Sequence, residues 1–505
     1  VSARPRRVGA LELARRVLDG GSWTSWDEDP VDIGPMSEAY RADVAAARER
    51  SGLDEALITG EGRIRGRRVA VVACEFSFLA GSIGVAAAER LVRAVERATR
   101  EGLPLVASPT SGGTRMQEGT VAFLQMVKIS AAVAKHKEAG LPYLVYLRNP
   151  TTGGVLASWG SLGHVTVAEP GALVGFLGPR VYEALYGDAF PEGVQVSENL
   201  YEKGLIDAVL APEQLRGTAA DALDVLMAPR EDLPEVPDLP EDAPEELPDV
   251  PAWESIRITR RADRPSVRAL LRAAAGSITP LHGTGQGESE GTLLVALARF
   301  GQAPCLVMGQ DRRRQSEGAP LGPGSLREAR RAMRLAAELG LPLVSVIDTA
   351  GAALSREAEE GGLAGEIARC LAELVVLPAP TLCVLLGQGT GGGALALLPA
   401  DRVVAAQHAW LSPLPPEGAS AILHRTTERA PEIAADQGVR SLDLLRDGVV
   451  DRIVAERPDA ADEPRAFLAR LGGVLEQELV RLLRRPAGER LDARLARYRG
   501  LGLPG

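Results

Sequence analysis

Apolar and polar positions along this chain follow two alternating rhythms. Short continuous apolar runs, such as RRVAVVACEF (67–76), give way to stretches in which apolar residues recur every three or four positions, such as GVAAAERLVRAVERATREG (84–102). The first rhythm is that of strands buried on both faces, the second that of amphipathic helices. The N-terminal half then predicts a strand at LPLVAS (103–108), a glycine-rich turn at TSGGTRMQEG (110–119) and a long helix at 120–140. A strand at LPYLVYLR (141–148), a second glycine turn at NPTTGGVLAS (149–158) and a strand over HVTVAEPGALVGFLG (164–178) follow.

The C-terminal half repeats this order. It reads APCLVMGQ (303–310), a helix at 325–340, a strand LPLVSVID (341–348), the turn TAGAA (349–353) and a helix EIARCLAELVVL (366–377). The strand APTLCVLLGQ (379–388), the turn GTGGGALAL (389–397) and the strand DRVVAAQHAWLSP (401–413) complete it. From the shared Leu-Pro (Pro104, Pro342) to the first glycine of each late pair, taken as Gly153 and Gly392, is about 50 residues in both halves. Two copies of one α/β unit account for this. Between them, proline recurs among Glu and Asp from Pro229 to Ala252. Proline removes backbone donors and the acids repel, so this stretch predicts an extended linker. The expected organisation is domain 1–228, linker 229–252 and domain 253–505.

Each copy has the signature strand, glycine turn, helix, twice over. Glycines at such turns let backbone N–H groups approach a ligand, and the following helix adds its positive N-terminal end. Two turns converging in one unit predict an oxyanion hole. A lone Gly-Gly reads only as a tight turn; its recurrence in matching context is what points to chemistry. Gly387, Gly389 and Gly392 also spell the dinucleotide fingerprint G-x-G-x-x-G, but the next strand, RVVAAQHAW, lacks the acid that fingerprint requires.

Composition narrows the classes. At 45% hydrophobic and 25% charged, 505 residues supply large cores. Aromatics at 4% and a net charge of -10 disfavour a nucleic-acid partner. No apolar run reaches membrane-spanning length, and the basic start, interrupted by Glu12, Arg15 and Arg16, reads as a helix rather than a signal peptide. Cys74, Cys305, Cys370 and Cys383 form no close pair, so neither zinc nor a disulfide framework is expected, and buried thiols in a cytoplasmic protein are. There is no G-x-S-x-G elbow and no phosphate loop. None of the six methionines precedes a Lys, so no biotin attachment site is expected.

At CEFSFLAGSIG, SPTSGGTRMQEG, LQMVKISAAVAKHKEAGLPYLVYLRNPTTGG and VAEPGALVGFLGPRV the N-terminal half resembles the beta subunit of the acetyl-CoA carboxylase carboxyltransferase. At LAAELGLPLVSVIDTAG, GQGTGGGALALLPADRVV and SPLPPEGASAIL the C-terminal half is similar to the alpha subunit. The resemblance implies two tandem crotonase-like (ββα spiral) domains related as an internal repeat. It implies transfer of a carboxyl group from carboxybiotin on a carrier protein to the α-carbon of acetyl-CoA or another short acyl-CoA, in fatty acid biosynthesis. N–H groups around Gly112, Gly113, Gly153 and Gly154 would hold the thioester oxygen, and those around Gly351, Gly393 and Ala394 the biotin ureido oxygen. Phe78, Leu79, Ala80, Gly81 and Ser82 match a segment near the CoA surface. Arg115 would pair with a carboxylate or CoA phosphate, or else with Glu118 on the same turn. Arg312, Arg313 and Arg314 lie where a basic biotin-side contact falls, though a solvated charge run is the simpler reading. The implied partners are a biotin carboxyl carrier protein, a biotin carboxylase and a second copy of the chain. The family's DTPGAYPG reads DTAGAALS here (348–355), and the zinc ribbon of many beta subunits has no counterpart. The alternatives are a biotin-dependent decarboxylase or transcarboxylase, and a non-catalytic scaffold of the same fold.

Overall fold

A computed structural model of the chain describes residues 7–237, 247–316 and 319–503. The middle of the expected linker, 238–246, lies outside the described residues. The chain forms two compact units: residues 1–223 with 285–287, and residues 224–284 with 288–505.

The first unit is built on a seven-stranded sheet in the order β1 (Thr24–Ser25), β2 (Leu57–Ile64), β3 (Arg67–Cys74), β4 (Leu105–Ser108), β5 (Tyr143–Leu147), β7 (Val165–Ala168) and β9 (Ala208–Val209). The hairpin β2–β3 turns on Arg65 and Gly66, both at positive φ, the two-residue turn whose twist suits antiparallel strands. From β3 to β9 all pairings are parallel. The apolar runs of β4, β5 and β7 are buried throughout, as parallel strands covered on both faces require. Helix α3 (Val85–Arg100) turns Ala87, Leu91, Val95 and Ala98 into this core, and α4 (Gly119–Glu138) adds Met126, Ile129 and Val133. Two further helices, α1 (Ala10–Val17) and α2 (Glu38–Ser51), precede the hairpin. The segment 164–178, read as one strand, is broken by Pro170 and Gly171. Its second part, β8 (Val174–Gly175), pairs with β6 (Thr151–Thr152) in a separate ribbon.

The second unit repeats the plan: β10 (Ala275–Leu281), β11 (Leu293–Phe300), β12 (Ala303–Gln310), β13 (Leu343–Thr349), β14 (Thr381–Thr390), β15 (Arg402–Ala406) and β17 (Arg452–Val454), with β16 (Trp410–Ser412) on β14. The register repeats too. Leu105 pairs with Ala70 and Tyr143, and Leu343 pairs with Leu306 and Thr381. The helices Pro323–Leu339 and Leu363–Val375 stand for α3 and the later part of α4.

Candidate functional site

The two glycine turns of the first unit meet at the carboxyl ends of β4 and β5. Ser111 bridges Thr151, so the turns lie side by side. A methyl group placed on Gly113 would lie 3.6 Å from the Gly153 Cα and 3.7 Å from the Gly154 nitrogen. Gly113 has φ 108 and Gly153 φ 64, backbone that a side chain disfavours. Most of the turn's donors are already committed. The Gly112 N–H donates to the Ala80 carbonyl, the Gly113 N–H to Ser111 Oγ and the Gly153 N–H to the Phe176 carbonyl. Ile83 donates to the Gly113 carbonyl and accepts from Arg115, a parallel bridge that leaves the Thr114 N–H pointing away from it. The N–H groups of Thr114 and Gly154 have no acceptor among the described residues. Gly154 opens the four-residue helix α5 (Gly153–Leu156), and its added methyl would lie 3.3 Å from Thr114 Oγ1. The donors expected around Gly112, Gly113, Gly153 and Gly154 thus narrow to Thr114 and Gly154.

The second unit holds the same construction. Gly351, at φ 134, donates to Thr349 Oγ1 as Gly113 does to Ser111, and Ala353 donates to the Leu321 carbonyl as Arg115 does to Ile83. Leu321 bridges Ala352, and Thr349 pairs with Gly389. Gly391 has φ 64, the value of Gly153. The residues in the places of Gly153 and Gly154 are therefore Gly391 and Gly392. Gly393 and Ala394 occupy the places of Val155 and Leu156, a one-residue correction to the spacing taken from the sequence. Ala394 is fully buried, and Gly393 is packed so that an added methyl would lie 3.3 Å from the Ala352 nitrogen. The N–H groups of Ala352 and Gly392 have no acceptor among the described residues.

The sequence reading missed Thr114 and Ala352. Both directly follow a glycine it singled out, but nothing local marks which N–H a distant bridge leaves open.

The segment 78–82 lies against the first turn. Leu79, Ala80 and Gly81 are consecutive left-handed residues. At Gly81 an added methyl would fall 2.0 Å from the Thr110 carbonyl oxygen, so only glycine fits. Phe78 is buried beneath, and Ser82 gives its carbonyl to the Arg115 guanidinium. Arg115 itself is 2% exposed and holds Glu55 through both terminal nitrogens, at 3.0 and 2.5 Å, with Glu118 at 3.6 Å. Burial opposes its charge, but the bonds to Glu55 keep its pKa above the ordinary value. Of the two readings of Arg115, the pairing with Glu118 on the same turn is present, and Glu55 of a distant loop adds a closer carboxylate partner.

Beside each pair of turns is a cavity. In the first unit about 590 Å³ is lined by Glu75, Phe76, Ala80, Thr110 and Asn149 among others. In the second, about 420 Å³ lies against Ala350 and Thr390. Its wall carries four buried polar atoms with no hydrogen-bond partner among the described residues: Arg312 Nη1, Gln315 Nε2, Asp348 Oδ2 and Thr390 Oγ1, the first and third of them forming an ion pair with each other. Arg312 Nη1 stands 3.4 Å from Asp348 Oδ2, and burial, partly offset by Arg312, raises the Asp348 pKa. Such groups call for a polar ligand or water. Arg312 is thus not part of a solvated charge run. Among the described residues no group of His, Cys, Asp or Glu converges to hold a metal, and no helix is long and apolar enough to cross a membrane.

Duplicated spiral units, each with paired glycine turns and two open backbone N–H groups, define the class of fold. Residues 27–490 match the carboxyl transferase domain family, and the chain belongs to that family. It is 62% identical over 498 residues to a probable biotin-dependent acyl-coenzyme A carboxylase beta3 subunit of Mycobacterium tuberculosis (strain ATCC 25618 / H37Rv), covering 99% of each chain. It is 36% identical over 518 residues to the acetyl-coenzyme A carboxylase carboxyl transferase subunits beta/alpha of Salinispora tropica, covering 99% of this chain and 91% of that one. Its fold matches the transcarboxylase 12S crystal structure with TM-score 0.71 at 20% identity, over 92% of this chain and 88% of that one. The crotonase-like architecture expected from the sequence is the one observed.

Proposed function

We propose that this chain is the carboxyltransferase subunit of a biotin-dependent acyl-CoA carboxylase. It moves a carboxyl group from biotin on a separate carrier protein to the α-carbon of acetyl-CoA or another short acyl-CoA. The observation that carries this reading is the duplicated pair of open N–H donors, Thr114 with Gly154 and Ala352 with Gly392. Two oxygens gain negative charge in such a transfer, the thioester oxygen as the α-carbon is activated and the ureido oxygen as the carboxyl group leaves, and each needs its own donors. In this reading the first unit serves the thioester. The second serves biotin, whose ureido group combines a carbonyl acceptor with N–H donors. The mixed donors and acceptors of the Arg312, Gln315, Asp348 and Thr390 cavity suit that group.

The reading includes a cytoplasmic enzyme working with a biotin carboxylase and a biotin carboxyl carrier protein, and a second copy of this chain. Exposed apolar side chains recur at matching places of the two units, Met116 with Leu354, Phe176 with Leu414 and Leu185 with Leu423, which suits a self-complementary contact. We also take 1–228 and 253–505 as the limits of the two halves. The test is purification with candidate carrier and carboxylase proteins, followed by bicarbonate fixation on acetyl-, propionyl- and longer acyl-CoAs. Fixation only with the partners present is expected. Fixation by the chain alone, or none on any acyl-CoA with every partner supplied, overturns the reading.

A further inference from the structure

Four largely buried side chains around the first glycine turn line neither cavity. Tyr40 of α2 is 5% exposed, Glu55 4% and Arg115 2%. The Tyr40 hydroxyl donates to Glu118 Oε1 at 2.5 Å, and the Val85 N–H, at the start of α3, donates to Glu118 Oε2 at 2.6 Å. Arg115 spans Glu55 on one side and the Ser82 carbonyl, at 2.7 Å, on the other. Two carboxylates and one guanidinium leave a net negative charge in a water-poor site. The helix N-terminus and the Tyr40 hydroxyl supply the missing stabilisation for Glu118. Burial, and next the bond to Glu118, push the Tyr40 pKa up to about 12, so the hydroxyl keeps its proton and stays a donor.

These contacts enclose the bridge that orients the hole. Ile83 bonds to the Gly113 carbonyl at 2.9 Å and to the Arg115 N–H at 3.0 Å, and Thr114 is the residue between them. A shift of Arg115 or of Ser82–Val85 rotates the peptide that carries the Thr114 N–H. The second unit does without such a tie. At the places of Arg115 and Glu118 it has Ala353 and the exposed Arg356, which pairs with Glu360. Its helix Pro323–Leu339 is capped instead by Glu290, which lies outside the turn.

We infer that Tyr40, Glu55, Arg115 and Glu118 are positioning residues that fix the direction of the Thr114 N–H, with α2 acting as a clasp on the hole of the first unit. This rests on the reading of that hole as the thioester site. The test compares Tyr40→Phe, Glu118→Gln, Arg115→Lys and Arg115→Met in the full chain. Transfer of the carboxyl group from malonyl-CoA or methylmalonyl-CoA to free biotin, which leaves acetyl-CoA or propionyl-CoA, is measured together with the infrared stretch of the bound, isotopically labelled thioester carbonyl. Ångström-scale misplacement of a reacting group costs on the order of 10- to 100-fold in rate. Tyr40→Phe and Glu118→Gln are expected to lower kcat about tenfold. KM for biotin stays unchanged, and the carbonyl stretch moves toward its solution value in step with kcat. Arg115→Lys should recover part of what Arg115→Met loses. Should Arg115→Met fail to fold, Tyr40→Phe and Glu118→Gln decide alone. Folded variants with wild-type kcat and an unmoved stretch overturn the inference, as does a loss confined to acyl-CoA affinity. Absence of any transfer by the wild type, by contrast, counts against the thioester reading itself.

Discussion

The two units share strand register, bridge and glycine turns, yet they secure those turns by different means. In the first, the bridge Ile83–Thr114 is enclosed by Arg115, Glu55, Glu118 and Tyr40, with every charge partnered. In the second, the equivalent bridge Leu321–Ala352 is flanked by the small Ala353, and the nearby ion pair of Arg312 and Asp348 faces a cavity, with polar atoms left without a hydrogen bond. Duplicated backbone geometry sets where open N–H groups point. Side chains then decide whether their surroundings are a closed ionic tie or an open polar pocket.

The largest effect is expected where the comparison is most literal. Neither Gly154 nor Gly392 has a left-handed backbone, so valine is conformationally allowed at both. The added methyl meets Met126 Cγ at 3.2 Å in one case and Ile367 Cδ1 at 2.7 Å in the other, both on flexible side chains. Gly154→Val and Gly392→Val should each reduce transfer by more than about 100-fold, since each fills the space before a proposed oxyanion donor. Calorimetry should show acyl-CoA binding impaired only in Gly154→Val. Binding lost in Gly392→Val and kept in Gly154→Val reverses the assignment of the units.

A second contrast lies on the matching helices, where Arg90 in the first unit corresponds to Glu328 in the second. Arg90 is paired with Asp54. Glu328, 3% exposed, is raised by burial from 4.5 to about 7. Its folded pKa lies above its unfolded one, so its contribution is present below about pH 4.5 and lost as pH rises through about 7. Glu328→Gln should therefore stabilise the protein by up to about 3 kcal/mol above neutrality and leave it unchanged in acid. Urea unfolding at several pH values reads this directly, and a gain that does not depend on pH would falsify the assignment.

The helix caps differ more gently. Glu290 accepts from Gly322, Gly324 and Ser325, at 3.1, 2.9 and 3.0 Å. Glu290→Ala should cost about 1–2 kcal/mol, seen as a lower Tm, with transfer intact at moderate temperature. Loss of transfer without loss of Tm would mean that this cap, like Glu118, serves the hole.

The smallest intrinsic effect belongs to Met116 and Leu354, which match in the repeat and are 82% and 98% exposed. Met116→Ser and Leu354→Ser should change the unfolding free energy by less than about 0.5 kcal/mol. Both should weaken self-association in sedimentation. Unchanged association would remove these two residues from the proposed contact.

Hydrophobic periodicity alone determined the central parallel strands, the long helices and their duplication, because each follows from which face of a local segment is apolar, but it ran together two strands in each of the segments 164–178 and 401–413. LPLVAS and LPLVSVID are strands, and the helices after Gly84 and Gly322 begin at matching places. The glycine turns were legible too, since positive φ at Gly113, Gly153, Gly351 and Gly391 leaves its mark on residue type. Which N–H groups stay open was not, because any residue but proline carries that group. Thr114 and Ala352 are set free only by the bridges to Ile83 and Leu321, some thirty residues upstream. The same holds for the one-residue shift to Gly391 and Gly392, fixed by pairing Thr349 with Gly389. It holds for Arg115, whose partner Glu55 comes from another loop, and for the cavity-facing polar groups of Arg312, Gln315, Asp348 and Thr390, which converge from three segments. Local pattern specifies an element's type and its buried face. Direction of a donor and identity of a charge's partner are properties of long-range pairing, and only the tertiary structure decided them.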